Sequence, residues 1–350
     1  MIRNDDPGTL SAAHIRQAAA RLAGMITRTP MLSSPELDHA LGAQVVCKAE
    51  NLQRTGAFKL RGALNHMLTL PAPRLARGVI GASSGNHGHA LAVAARMLGT
   101  RAVVVVPHNA PTVKIDAMAA SGAEVHRYDR RAADRDAIVA GIADSQGLSV
   151  VPSADSSQVM AGAGTLALEI MQELPRPGGL LVAVGGGGLA AGCATIAKDI
   201  HPAIKVIGVE PASGDDTARS LRAGQRIVIP PPATIADGLT HSTPSPRPFV
   251  INQRLLDDVI TVDDSEIAEA MALCLRHLRV VVEPSGACAL AALVAGKVPA
   301  GCGSIAVVLS GGNVDWHTFR ALIDHAHTRR LSGLPGMPSR RRAVTSAGGA

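Results

Sequence analysis

Lysine is rare in this chain of 350 residues, with six against 28 arginines, so an exposed positive charge is usually written as Arg. Lys59 breaks that habit in Asn51-Leu52-Gln53-Arg54-Thr55-Gly56-Ala57-Phe58-Lys59-Leu60-Arg61-Gly62-Ala63, beside one of only three phenylalanines. A partly desolvated lysine has a depressed pKa and is nucleophilic enough to form a Schiff base. The plainer alternative is a surface lysine on the first turn of a helix. Four glycines, Gly185, Gly186, Gly187 and Gly188, follow Val182-Ala183-Val184 and precede Leu189-Ala190-Ala191-Gly192. Between a strand and a helix, such a run lets consecutive backbone N–H groups converge on one anion, and the helix N-terminus adds positive partial charge. A dinucleotide-binding turn is the serious alternative, but no acid is convincingly placed for a ribose and no P-loop ending is present.

Three more stretches carry chemistry. Gly81-Ala82-Ser83-Ser84-Gly85-Asn86-His87-Gly88-His89-Ala90 also joins a strand to a helix. Small residues there expose backbone N–H groups to a carboxylate, with the Asn86 amide as a further donor; a capped helix start, with Ser83 or Ser84 as cap, is compatible with that. In Val307-Val308-Leu309-Ser310-Gly311-Gly312-Asn313 a buried strand ends at Ser310, the position where ligands bind in open parallel sheets. Gly208-Val209-Glu210-Pro211-Ala212-Ser213-Gly214-Asp215-Asp216 sets the carboxylates of Glu210 and Asp216 on either side of a flexible carbonyl at Gly214. Such hard oxygens suit Mg²⁺ or Ca²⁺; solvated acids at a strand end are the alternative.

The elements that must position these motifs follow from periodicity. Short β-branched runs at 44–48, 79–82, 102–106, 124–128, 180–184, 206–210 and 304–309 alternate with Ala-rich helical stretches. The latter are 11–25, the stretch after Asn86, 113–121, 132–145, 162–174, 189–200, 264–277 and 286–295. This alternation predicts an α/β fold with parallel sheets and covering helices. Asp263-Asp264-Ser265 ahead of Glu266 marks a helix start. The strand–helix–strand–helix–strand unit from Val79 to Tyr128 suits a small inserted domain, 63–151. The flanking segments, 1–62 and 152–328, then pair as a large domain, with the chemistry in the cleft between them. Residues 227–248, with six prolines, read as an ordered loop crossing the surface near the site.

Composition narrows the classes. Nearly half the residues are apolar and 18% are charged, which excludes global disorder. One Trp, one Tyr and three Phe cannot build stacking platforms for single-stranded nucleic acid. The net charge of +6 is concentrated in Arg329, Arg330, Arg340, Arg341 and Arg342, so the body is close to neutral and 329–350 reads as a disordered basic tail. Cys47, Cys193, Cys274, Cys288 and Cys302 are scattered, without metal or disulfide spacing, as in a reducing cytoplasm. The acidic start at 1–6 does not resemble a signal peptide, and no apolar run is long enough for a membrane span.

Taken in order over roughly residues 20–320, these motifs resemble the fold type II pyridoxal-phosphate enzymes, and are most similar to the serine/threonine dehydratase (ammonia-lyase) and serine racemase family. The resemblance implies a tryptophan synthase β-like fold: two open, twisted, mostly parallel sheets with helices on both faces, in a homodimer. It implies that Lys59 is the Schiff-base lysine, Phe58 flanks the cofactor ring, and Asn86 bonds the ring's 3′ oxygen. Gly185, Gly186, Gly187, Gly188 and the Leu189 N–H would hold the phosphate of pyridoxal 5′-phosphate, and Ser310 would meet the pyridine nitrogen. Ser83, Ser84, Asn86 and His87 would hold a substrate carboxylate, with Ser84 as acid/base on the second face. The family's divalent-cation site falls on Glu210, Gly214 and Asp216.

The activity so implied is α,β-elimination on a β-hydroxy amino acid of the L-threonine or L-serine type, giving an α-keto acid and ammonia. Racemisation and dehydration of 3-hydroxyaspartate, phenylserine or a hydroxyectoine-pathway compound are alternatives on the same scaffold. A nicotinamide-dependent oxidoreductase and a non-catalytic binding protein are more distant ones. Two departures from the family pattern, Ala57 for a usual Ser and Ala163 for a usual Gln, are expected to enlarge the site or make it less polar. The isoleucine-responsive regulatory domain of biosynthetic threonine dehydratases is not expected.

Overall fold

The computed structural model describes residues 10–110, 112–129, 134–174, 176–299 and 302–332. The acidic start at 1–6, the first residues of the helix expected at 132–145, and the arginines beyond 332 lie outside these. The strands are β1 (Met31–Leu32), β2 (Val45–Ala49), β3 (Val79–Ala82), β4 (Ala102–Pro107), β5 (Glu124–Tyr128), β6 (Ser149–Val150), β7 (Gly179–Ala183), β8 (Lys205–Pro211), β9 (Asp258–Val262) and β10 (Ile305–Leu309). The helices are α1 (Ala12–Leu22), α2 (Pro35–Leu41), α3 (Lys59–Leu68), α4 (Ala72–Arg77), α5 (Asn86–Met97), α6 (Thr112–Ala120), α7 (Arg135–Gln146), α8 (Ser157–Glu173), α9 (Gly188–Ile200), α10 (Asp216–Ala223), α11 (Pro246–Leu255), α12 (Asp264–Leu273), α13 (Pro284–Val294) and α14 (Trp316–Ser332).

Two sheets result. One has the order β1-β2-β10-β7-β8-β9 and is parallel except where β1 meets β2; the other, β5-β4-β3-β6, is parallel throughout. Strands covered on both faces must be apolar along their whole length, and β4, β7 and β10 are buried at every position. Side chains alternate across the large sheet. Leu181, Val307 and Leu309 join the layer under α12 and α13, whereas Leu180, Val182 and Val308 join that under α1, α8 and α9. In the small sheet Val104 and Val106 face α3 and α5, while Val103 and Val105 face α7. Helices therefore cover both faces of both sheets, the architecture expected from the motifs.

The sequence reading and the structure part in a few places, for physical reasons. β1 and β6 are two residues long and β9 opens on Asp258 at a sheet edge, so none shows a sustained apolar run. The helix expected at 264–277 starts on its capping box, with Asp263 accepting from the Ser265 and Glu266 N–H groups. It gives way after Leu273 to a π-helical turn, Cys274–Leu278, closed by Arg279 at φ 61°. The proline-rich loop ends early because Pro246 and Pro248 fit the first turn of α11, where missing N–H groups cost nothing. α14 runs through Ser332, past the expected start of the tail at 329. α3 is continuous across position 62 and packs against both α5 and α8, so it belongs to both sheets' surroundings. All five cysteines are free and buried. Among the described residues no helix is long and apolar enough to cross a membrane.

Candidate active site

The strand ends of the two sheets open on one cavity of about 1020 Å³, whose wall includes Ala82 from β3, Pro107 from β4 and Ser310 just past β10. Strand C-termini in open parallel sheets converge on such clefts. The Pro-rich segment crosses it, contributing Asp237 to Pro246 to the wall.

Lys59 reaches this cavity through backbone pairing. Residues 56–58 lie along the end of β10: Ala57 bridges Gly311, the Phe58 N–H donates to the Ser310 carbonyl (3.0 Å) and the Gly312 N–H to the Gly56 carbonyl (2.8 Å). Gly56, at φ 70°, is pressed against Asn313, where a Cβ would lie 2.2 Å from Oδ1. Lysine and Ser310 motifs, remote in sequence, are thereby fixed side by side. The Lys59 side chain is half-buried, donates to the Ser153 carbonyl (2.9 Å) and sits 5.0 Å from the centroid of the Phe58 ring. Burial lowers its pKa from 10.5 to about 8. It starts a helix, as the plain reading had it, but not on the surface. Ser310 Oγ has one long contact, 3.4 Å to the Ser285 carbonyl.

Asn86 is held by residues that no sequence argument had assigned a role. Its Nδ2 donates to Glu283 Oε1 (2.5 Å) and its Oδ1 accepts from Asn313 Nδ2 (2.8 Å), which also donates to the Thr55 carbonyl (2.8 Å). Asn313 stood at the end of the Ser310 motif without a role of its own; Glu283, almost 200 positions from Asn86, left no local signal. The cap of α5 is Gly85, not Ser83 or Ser84, and no side chain caps the helix, whose first residues Asn86 and His87 line the cavity. Ser83 Oγ instead accepts from the Gly85 N–H (3.1 Å). Ser83 and Ser84 line the cavity half-buried. The His87 ring turns inward, is 3% exposed and contacts the Val151 carbonyl through Nε2 (3.0 Å). Burial, with Lys59 nearby, lowers its pKa to about 3. The His87 ring is therefore turned away from the cavity, against the Val151 carbonyl.

The tetraglycine turn caps α9, with Gly187 at φ 87°. It meets the Lys59 region across two adjacent residues: Lys59 donates to the Ser153 carbonyl, and Gly186 and Gly188 pack against Ala154. The turn does not itself line the cavity. His241 and Ser245 from the crossing segment lie over it: a Cβ on Gly185 would come within 3.0 Å of His241 Nδ1, and one on Gly186 within 3.0 Å of Ser245 Oγ. Leu189, the second residue of α9, is buried.

Glu210 and Asp216 are not solvated acids; both are buried. Glu210 accepts from the Thr217 (3.1 Å) and Ala218 (3.0 Å) N–H groups of α10, and Asp216 Oδ2 has no partner. Burial, then the neighbouring Asp216 charge, raises the Glu210 pKa to about 8; burial raises Asp216 to about 7. Gly214 is buried one turn ahead. No group of three or more His, Cys, Asp or Glu side chains converges among the described residues. An orphaned carboxylate oxygen beside a second buried carboxylate nevertheless suits a divalent cation. Ala57 and Ala163 do not line the cavity: Ala57 is enclosed by its bridge to Gly311, and Ala163 belongs to the core between α8 and α9. The expected enlargement of the site by these two is therefore not seen.

A cleft at converging strand ends, with a desolvated lysine beside a glycine-lined helix start, is a cofactor site of the pyridoxal-phosphate type. The family model for "Pyridoxal-phosphate dependent enzyme" matches residues 22–311, and the chain belongs to that family. It is 38% identical over 309 residues to the L-threo-3-hydroxyaspartate ammonia-lyase of Saccharomyces cerevisiae, covering 88% of this chain and 95% of that one. It is 40% identical to the L-threonine ammonia-lyase of Geobacter sulfurreducens, covering 89% and 77%. The solved structure of maize serine racemase superposes with a TM-score of 0.86 at 35% identity, over 92% of this chain and 99% of that one. The residues fit the cofactor on their own geometry as well. Among the described residues no carboxylate pairs with Lys59, Ser310 Oγ has only a long contact, His241 Nδ1 and Thr243 Oγ1 are buried without partners, and a Cβ would fill the glycine cradle.

Proposed function

We propose that the protein is a dehydratase (ammonia-lyase) that converts a β-hydroxy amino acid of the L-threonine or L-serine type to an α-keto acid and ammonia. The observation that carries this is the Lys59 amine, half-buried, uncompensated and aimed into a cavity that it shares with Ser84, Asn86 and Ser310. Gly185, Gly186, Gly187, Gly188 and the Leu189 N–H would hold the cofactor phosphate, Asn86 its ring oxygen, Phe58 its flank and Ser310 its ring nitrogen; Lys59 would tether its aldehyde. When bound, pyridoxal phosphate supplies the electron sink that makes the substrate's Cα–H bond labile.

This chain's residues do the rest. The first N–H groups of α5, with the Ser83 and Ser84 hydroxyls, bind the substrate carboxylate. Lys59 Nζ, with a pKa near 8, takes the Cα proton close to neutral pH. Ser310 offers a neutral hydroxyl where a carboxylate would hold a positive charge, which favours prompt loss of the β-hydroxyl over a long-lived carbanion. Glu210, Gly214 and Asp216 would hold Mg²⁺ or Ca²⁺ in a structural role. We place the protein in the cytoplasm, in keeping with five free buried thiols, and as a homodimer; Leu52 and Val281 are among its exposed large apolar side chains.

A second reading rests on Arg135, a cation on the cavity wall suited to the extra carboxylate of a 3-hydroxyaspartate-type substrate. Its Nε pairs with Asp136 (2.8 Å), and both Asp134 and Asp136 line the same wall, which argues for the uncharged substrates. Keto-acid release from L-serine, L-threonine and L-threo-3-hydroxyaspartate tests both. Release from none of them sinks the dehydratase reading, and D-serine formation without keto acid would make the protein a racemase.

A further inference from the structure

The segment crossing the site brings a histidine onto the glycine turn. His241 lines the cavity, and its ring lies against both Gly185 and Gly186: Cβ atoms there would meet Nδ1 at 3.0 Å and Nε2 at 3.3 Å. Nδ1 is buried without a hydrogen-bond partner, although a buried imidazole nitrogen is normally paired. The backbone that carries the ring is anchored on either side of it. The Gly238 N–H donates to Ser285 Oγ (2.9 Å), and the Ser245 N–H donates to the carbonyl of Gly186 itself (3.3 Å).

We propose that His241 completes the phosphate cradle begun by the glycine turn, its unpartnered ring nitrogen donating to a phosphate oxygen. The idea rests on reading residues 185–188 as the phosphate site. Several observations favour a donor over a mere space-filler. Leaving Nδ1 unpaired costs free energy that an anion on the turn would recover. Burial first, then the nearby cations Lys59 and Arg135, keep the imidazole neutral and lower its pKa to about 4. A neutral imidazole still has one N–H to give and does not require a second buried positive charge. The anchor to Gly186 also ties this wall directly to the turn. No sequence motif marks the position, because His241 sits in an irregular stretch whose approach to the turn is set only by tertiary contacts.

The test compares two ligands. Protein stripped of cofactor is titrated with pyridoxal 5′-phosphate and with pyridoxal, and the ratio of the two dissociation constants isolates the phosphate contribution. His241→Ala is expected to shrink that ratio about tenfold or more, as a lost hydrogen bond to a charged group does, with pyridoxal binding nearly unchanged. His241→Asn, which keeps a donor near the Nδ1 position, should restore most of it. The ³¹P resonance of the bound phosphate should move in His241→Ala and return in His241→Asn. An unchanged ratio in His241→Ala overturns the proposal, and so does tighter phosphate-ester binding, which would make the ring a plug. Gly186→Leu separates the two layers of the argument. If it keeps the wild-type ratio, the turn is not the phosphate site; if it loses the ratio while His241→Ala keeps it, only the role of His241 fails.

Discussion

Lys48, within β2, and Lys59, at the start of α3, are both withdrawn from water, with opposite consequences. The Lys48 amine is fully buried, 2.6 Å from Glu169 Oε2, and donates to the Thr29 carbonyl (2.6 Å). Glu169 also accepts from Arg61 Nη1 (2.7 Å) and Nη2 (2.9 Å), and Arg61 closes on Glu50 through Nε and Nη2 (2.8 Å each). Two cations meet two carboxylates and the charges cancel. Among the described residues no carboxylate pairs with Lys59; it has a carbonyl at 2.9 Å and the ring of Phe58. Burial with balanced charge makes a structural pin, whereas burial without it makes a reactive amine. Arg61 and Lys59 share the first turns of α3, so the balanced network fixes the helix on which the unbalanced lysine rides.

The comparison breaks most visibly at Lys59. Lys59→Ala should lower keto-acid release by about 10³-fold or more, because it removes both the tether and the base, and should leave the protein colourless with pyridoxal phosphate. Its thermal midpoint at neutral pH without cofactor should rise rather than fall, since no ion pair is lost and a desolvated charge is removed; comparable turnover in the variant would sink the assignment. Arg61→Met is the converse. It strands Glu50 in the core without a cation, at a cost of about 3–5 kcal/mol in a urea melt. Lys48→Met should cost less, about 1–2 kcal/mol, because Glu169 keeps Arg61 and is partly exposed. If Lys48→Met abolished turnover while melting like wild type, the division between the two lysines would be wrong.

Much of this was legible because it is local. β4, β7 and β10 announce themselves as unbroken apolar runs, and the glycine turn and Lys59 stand out by composition. What escaped is tertiary. Glu283 and Asn313 fix the Asn86 amide from α13 and from the turn after β10, and His241 reaches the glycine turn through an irregular segment. Ala163 looked like a change in the site because a motif counts along the chain; in space it belongs to the helix pair α8–α9, where a Cβ on Gly192 would lie 2.3 Å from the Met160 carbonyl. The Glu210 pair read equally well as solvated acids, because burial is invisible to spacing.

The uncompensated state of Lys59 also sets a pH dependence. Attack on an aldehyde requires the unprotonated amine, so cofactor capture by stripped protein should quicken as pH rises, with a midpoint near 8 rather than 10.5. The linkage has the same origin. Between about pH 8 and 10.5 the unfolded chain keeps the lysine proton and the folded chain does not, so the cofactor-free fold gains stability as pH rises through that window. Rates of visible-band formation between pH 6 and about 10 check the first part. A midpoint above 10 would mean that the amine is not desolvated and that the contrast with Lys48 is lost.

Glu210 and Asp216 are the acidic mirror of Lys59: buried carboxyl groups with no cationic side chain in the hydrogen bonds they make. Here the compensation would come from solution rather than from a cofactor. Millimolar Mg²⁺ or Ca²⁺ is expected to stabilise the fold by about 1–3 kcal/mol, a rise of a few degrees in the thermal midpoint, and a strong chelator to reverse it. Glu210→Gln, which keeps the size of the side chain and removes its charge, should flatten that response while leaving the visible band at Lys59 in place. A wild-type midpoint indifferent to both cation and chelator would reduce the pair to a buried cap on α10, with Glu210 held by the N–H groups of Thr217 and Ala218 alone.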